Sequence, residues 1–133
     1  MKYLDANFFV FALLDNTKLG ENARALQQEI IEGKHSTVTS SLTLDEILWV
    51  LVRNNRRELI EEVIDDIYHM PNLTIVATSA AAPKTAVKYI QKYNLKPRDA
   101  IHLAVMEELK IKEIISDDVD FDGVRGVKRI GID

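Results

Sequence analysis

The order of segments predicts a three-layer α/β/α fold, with a central, mostly parallel sheet flanked by helices on both faces. Three observations carry this. Short apolar runs alternate with longer stretches of helical spacing, the pattern that parallel strands with helical crossovers require. The 133 residues are 47% hydrophobic, enough to bury a real core without disulfide staples. No linker, low-complexity tract or internal repeat interrupts the alternation, so residues 1–133 read as one domain.

The elements follow in order. Lys2 to Leu4 reads as a short strand and Asn7 to Asp15 as a helix. A second helix runs from Gly20 to Glu32, with Gly33 in the position that stops it. Ser36 to Thr39 is a strand, and Leu42 to Arg53 a mostly buried helix. Between Arg57 and Tyr68 the apolar Leu59, Ile60, Val63, Ile64 and Ile67 recur at helical spacing. Glu61, Glu62, Asp65 and Asp66 lie opposite them as a solvated face. Pro71-Asn72 breaks that helix, and Leu73 to Val76 is the next strand. Residues 80–93 and 98–109 are helices, and Glu113 to Ser116 and Val127 to Ile130 complete the strands.

Composition narrows the function classes. With no cysteine, neither a disulfide nor a thiolate metal site is available. Met1-Lys2 leads straight into a strand, so no signal peptide is expected. The longest early apolar run, Phe8 to Leu14, is seven residues, far short of the ~20 that cross a bilayer. A cytoplasmic protein without a membrane partner follows as the default. A net charge of −4 argues against holding nucleic acid by bulk electrostatics, though not against a nuclease with a carboxylate metal site.

Asp5, Glu46, Asp99 and Asp118 each sit in or beside an apolar run, and no matching Lys or Arg lies inside those runs. A buried ionised carboxylate is costly unless it is paired or binds a metal. Asp5 and Asp118 fall at or just after the carboxyl ends of predicted strands, where open α/β sheets bind ligands. Glu46 and Asp99 fall in the first turns of helices that cover that edge. If the four converge, a divalent cation is the natural neutralising partner. Each also has a plainer role: Asp5 as a helix N-cap, Glu46 in a Thr43–Glu46 capping box, and Asp99 beside Pro97 as macrodipole chemistry. Against the capping box, Leu42 and Leu44 already read as helical, with Ser40 or Ser41 the better cap.

Asp118-x-Asp120-x-Asp122-Gly123 copies the first half of a calcium loop, but the Glu expected at its end is Arg129 and a strand precedes it. Both departures argue against an EF-hand, and a divalent-metal role or a solvated turn remains. His35, His69 and His102 are scattered, with no His-x-x-x-His pair to suggest zinc; Asp99 and His102 form a weaker candidate ligand pair. Lys84, Lys88 and Lys92 recur every four residues and share a helix face that either tracks a phosphate backbone or is simply solvated.

Four blocks of this chain resemble the PIN-domain family, notably the toxin ribonucleases of VapBC toxin–antitoxin pairs. They are Tyr3-Leu4-Asp5-Ala6-Asn7, Ser40 to Ile47, Leu95 to Ala104, and Ile114 to Phe121, in the family's order along nearly the whole chain. The resemblance implies a PIN-like fold and a metal-dependent endoribonuclease using one or two Mg²⁺ or Mn²⁺. It implies catalytic roles for Asp5, Glu46, Asp99 and Asp118. Asp5, Asp99 and Asp118 would touch metal, Glu46 would hold a second ion or orient the attacking water, and Asp120 would be accessory. Asp117 adds a further carboxylate, so which of Asp117, Asp118 and Asp120 meets metal stays open. Asn7 and Ser116 would orient the carboxylates, and Arg98 and Lys96 would position RNA. A cognate antitoxin and a homodimer are implied as partners, with Phe8, Phe9, Trp49 and Tyr68 as candidate exposed aromatics for the dimer. The competing reading is a non-catalytic PIN-like module that binds RNA or protein.

Overall fold

A computed structural model describes Met1–Asp133. Its strands are β1 (Lys2–Leu4), β2 (Thr37–Ser40), β3 (Leu73–Val76), β4 (Glu113–Ile115) and β5 (Lys128–Ile130). Its helices are α1 (Ala6–Leu14), α2 (Lys18–Ile31), α3 (Ser41–Arg53), α4 (Ile60–Tyr68), α5 (Ala82–Tyr93) and α6 (Pro97–Leu109). The five strands form one sheet in the order β3-β2-β1-β4-β5, and every pairing is parallel.

Alternation along the strands builds the three layers. Tyr3 and Ile114 face one side of the sheet with α5 and α6, joined by Phe121 and Val124. Leu4 and Ile115 face the other side, against α1 to α4. Neighbouring residues of one strand therefore serve two separate cores, as the two-residue pleat dictates.

The chain moves outward from β1 through β2 to β3, then returns to the other side of β1 for β4 and β5. The switch point lies between β1 and β4, which opens a crevice at their carboxyl ends. Three helices start at that edge. Asp5, extended at φ −80°, caps α1; Ser40 precedes α3 directly; and Lys96, extended as a residue before proline, leads into Pro97 at the head of α6. Their partly positive N-termini face the same place.

The differences from expectation are local. Arg57–Leu59 is a 3-10 turn ahead of α4 rather than its first turn, and Val119–Gly123, within the Asp-rich segment, is a second 3-10 turn. Gly33 has φ +86° and ends α2 as predicted. Gly20 is required for a different reason: a Cβ there would lie 1.9 Å from the carbonyl oxygen of Asp15. Phe8 and Phe9 are not exposed but packed in the core, because α1 is enclosed by the cluster it shares with α2, α3, α4 and the sheet; Trp49 and Tyr68 are exposed. No helix is long and apolar enough to cross a membrane.

Candidate metal centre

The crevice gathers carboxylates from four distant parts of the chain. Asp5 follows β1, Glu46 lies in the second turn of α3, Asp99 in the first turn of α6, and Asp118 just after β4. Glu46, Asp99 and Asp118 line one cleft of about 530 Å³ together with Lys96, Pro97 and Arg98. Potential ligand atoms fall into two groups, each within 4.8 Å: Asp5, Glu46 and His102, and Asp99, Asp118 and Asp120. Three of the four acids expected from the sequence thus line one cleft, while Asp5, almost fully buried, does not line it and is grouped with Glu46.

Asp5 is only 5% exposed, and both of its oxygens are engaged. Oδ1 accepts from the Ala6 amide at 2.7 Å, the N-cap bond, and Oδ2 accepts from Ser116 Oγ at 2.7 Å. The N-cap role expected of Asp5 is therefore filled, and Ser116 holds its second oxygen. Burial, partly countered by His102 and Ser116, holds the Asp5 carboxyl above its usual range. Ser116 Oγ is a hub: besides donating to Asp5 it accepts from Asn7 Nδ2 at 3.1 Å and from the Asp118 amide at 3.0 Å. Asn7 Oδ1 accepts in turn from the Asp117 amide at 3.3 Å. These bonds tie the end of β1 to the loop after β4.

Asp118 caps the 3-10 turn, accepting from the Asp120 amide at 2.9 Å, and Phe121 anchors that turn in the core. Asp122 points elsewhere. Arg129 donates to both of its oxygens, at 2.8 and 3.1 Å, and holds its carboxyl below the ordinary range. The calcium-loop pattern therefore fails because its third acid is spent on the arginine standing where a glutamate would be.

Asp99 is half-buried and pushed up to about 7 by burial first, then by the charges of Asp118 and Asp5. No lysine or arginine pairs with any of the four carboxylates; the nearby Arg98 turns to Asp45, at 3.8 Å, and Lys96 is exposed. One basic side chain does lie buried among them, and sequence reasoning underrated it. His102 is fully buried, with Nδ1 2.7 Å from Tyr3 Oη and Nε2 bonded to Glu46 Oε1 and 3.8 Å from Asp5 Oδ1. Burial opposes its charge, but the bond to Glu46 and the charges of Asp5, Glu46 and Asp99 outweigh burial and raise its pKa. Every contact of the ring is satisfied: Nε2 donates to Glu46, and Tyr3 Oη bridges Nδ1 and Ser40 Oγ, each at 2.7 Å. The signal was in the sequence, since His102 is as polar an intruder in Ala100–Met106 as the acids are in theirs.

The donor set fits a hard divalent cation. With both His102 nitrogens engaged, the remaining donors are carboxylate oxygens, which suit Mg²⁺ or Mn²⁺ better than zinc.

Comparison with known proteins agrees with this fold. The family described as PIN domain matches residues 2–127. A VapC ribonuclease of Mycobacterium bovis and Ribonuclease VapC13 of Mycobacterium tuberculosis are each 32% identical over 111 residues, covering 82% of this chain and 83% of theirs. Among solved structures, the sarcin-ricin-loop-cleaving toxin VapC20 of Mycobacterium tuberculosis superposes with TM-score 0.77 at 17% identity, covering 96% of this chain and 98% of that one. VapBC2 of Rickettsia felis, bound to a promoter DNA fragment, gives TM-score 0.75 at 14% identity over 98% of both chains. These last two likenesses concern the fold.

Proposed function

This chain belongs to the PIN-domain family, and from that premise we propose that it is a divalent-metal-dependent endoribonuclease, the toxin of a toxin–antitoxin pair. The observation that carries the reading is the meeting of Asp5, Glu46, Asp99 and Asp118 at one sheet edge with no lysine or arginine paired to them. The 32% identity to proteins named as ribonucleases supports RNA as the substrate. A protein antitoxin, a homodimer and a cytoplasmic setting complete the proposal, with residues 1–133 acting as one PIN domain.

In this mechanism Asp5, Asp99 and Asp118 hold Mg²⁺ or Mn²⁺, and Asp120 is accessory. A cation held there would supply a lowered water pKa and would offset charge developing on the phosphoryl oxygens. Ser116 fixes the Asp5 oxygen that it bonds, and Asn7 fixes Ser116. Glu46, held by His102, orients the attacking water toward phosphorus. Arg98 and Lys96, on the cleft rim, position the phosphate backbone.

The test is cleavage of labelled single-stranded RNA, with DNA alongside, in Mg²⁺, Mn²⁺ and EDTA. Wild-type protein should cut RNA only with metal. Asp5→Asn, which removes a charge with almost no change of shape, should fold and not cut. Metal-independent cutting, or wild-type activity in folded Asp5→Asn, overturns the assignment.

A further inference from the structure

Away from the carboxylates, a second groove of about 270 Å³ is lined by Lys88, Tyr89, Lys92, Tyr93 and Arg125. Its composition is unusual for a chain of net charge −4: three cations, two aromatic rings and no acid. Tyr89 and Tyr93, one helical turn apart on α5, stack with centroids 6.3 Å apart and planes 21° from parallel. Lys88 Nζ lies 5.2 Å from the Tyr89 ring centroid and Lys92 Nζ 5.4 Å from that of Tyr93. The backbone amide of Arg125 donates to Tyr93 Oη at 3.3 Å, which seats this cation beside the rings. Lys88 is already bonded to Glu107 at 2.6 Å, whereas Lys92 and Arg125 have no acidic partner.

The groove and the cleft are linked along the chain. Tyr93 is three residues before Lys96, a lining residue of the cleft, so their Cα atoms lie within about 11 Å. On the other side, the 3-10 turn Val119–Gly123 links Asp118 in the cleft to Arg125 in the groove. Aromatic faces beside free cations next to a cleavage centre are what single-stranded nucleic acid recognition uses, bases on the rings and phosphates on the charges.

We propose that this groove holds the RNA strand flanking the scissile phosphate, stacking a base on the Tyr89–Tyr93 pair and binding phosphates through Lys92 and Arg125. The proposal rests on the ribonuclease reading above and adds where the strand runs beyond the cut. It assigns substrate recognition to residues outside the carboxylate centre. The rival occupant is an acidic segment of a protein partner, which would use the cations and ignore the rings.

The test uses the whole protein with a labelled 20-nucleotide single-stranded RNA, binding being followed by anisotropy in EDTA across a salt series. Lys92→Gln/Arg125→Gln, both exposed positions, should weaken binding roughly tenfold and reduce the log–log salt slope by about 1.4. Lys18→Gln/Lys34→Gln, the same charge change on the α2 side, should change neither. Tyr89→Leu/Tyr93→Leu, checked for folding by circular dichroism, should weaken binding at least fivefold with the salt slope unchanged. If wild type cuts RNA but Lys92→Gln/Arg125→Gln binds it like the α2 control, the groove assignment is overturned and the nuclease reading stands. If the tyrosine variant binds normally and polyglutamate displaces RNA from wild type, the groove belongs to an acidic peptide instead. If wild type neither binds nor cuts RNA, both readings fall together.

Discussion

Asp99→Asn should stabilise the metal-free protein while destroying its activity. The Asp99 carboxyl is raised from 3.8 to about 7, chiefly by burial and then by Asp118 and Asp5. At ~1.36 kcal/mol per tenfold change in proton affinity, the full shift corresponds to about 4 kcal/mol. Asp99 is only half-buried, and solvent screening leaves about 1–2 kcal/mol of that as a real penalty. The sign follows from proton binding. Between pH 4 and 7 the folded protein keeps a proton that the unfolded chain has lost, so this group's contribution to stability falls as pH rises. Above pH 7 the penalty is fully present, and below pH 4 it is gone. An amide cannot ionise and escapes it. In EDTA at pH 8, Asp99→Asn should therefore melt higher than wild type by about 3–8 °C, and the gap should close at pH 4. Saturating Mg²⁺ should raise the melting temperature of wild type and not that of the variant. Thermal melts by circular dichroism at the two pH values, with and without Mg²⁺, read all of this. A variant that melts lower than wild type at pH 8 in EDTA, or gains equally at both pH values, refutes the picture of mutually repelling carboxylates.

Three further outcomes are expected. Ser116→Ala, which frees the Asp5 oxygen and strands Asn7 and the Asp118 amide, should lower Mg²⁺ affinity or activity by about 10–100-fold, read by titrating Mg²⁺ in the cleavage assay. His102→Asn should lower kcat by a similar ~10–100-fold with little change in KM for RNA, because the side chain holds Glu46 and does not line the cleft. Asp122→Asn should leave cleavage and its metal dependence unchanged, since that acid belongs to Arg129; a loss of Mg²⁺ affinity would restore the calcium-loop reading.

The architecture was legible because the chemistry of each segment is local. Gly33 stops α2, Pro97 opens α6, and the apolar stripe of α4 stands opposite its acids. The four acids were legible for the same reason, as charges in apolar surroundings. Other features were not. Phe8 and Phe9 belong to a helix apolar all round, and only the sheet's position decides which face is buried. The pairing of His102 with Glu46 joins residues 56 apart in sequence, and the Tyr3–Ser40 contact joins residues 37 apart. No spacing rule reaches that far. Asp118 and Asp122 look equivalent in sequence; Arg129, delivered by β5, separates them.

The most direct test of the central claim is a Mn²⁺ titration in which RNA cleavage rate and bound Mn²⁺, by electron paramagnetic resonance, are measured on the same samples. The carboxylate centre predicts that cleavage rises with bound Mn²⁺, and that Asp5→Asn loses both signals while its melting curve stays cooperative. Full cleavage in excess EDTA, or undiminished Mn²⁺ binding and cutting by Asp5→Asn, would contradict it.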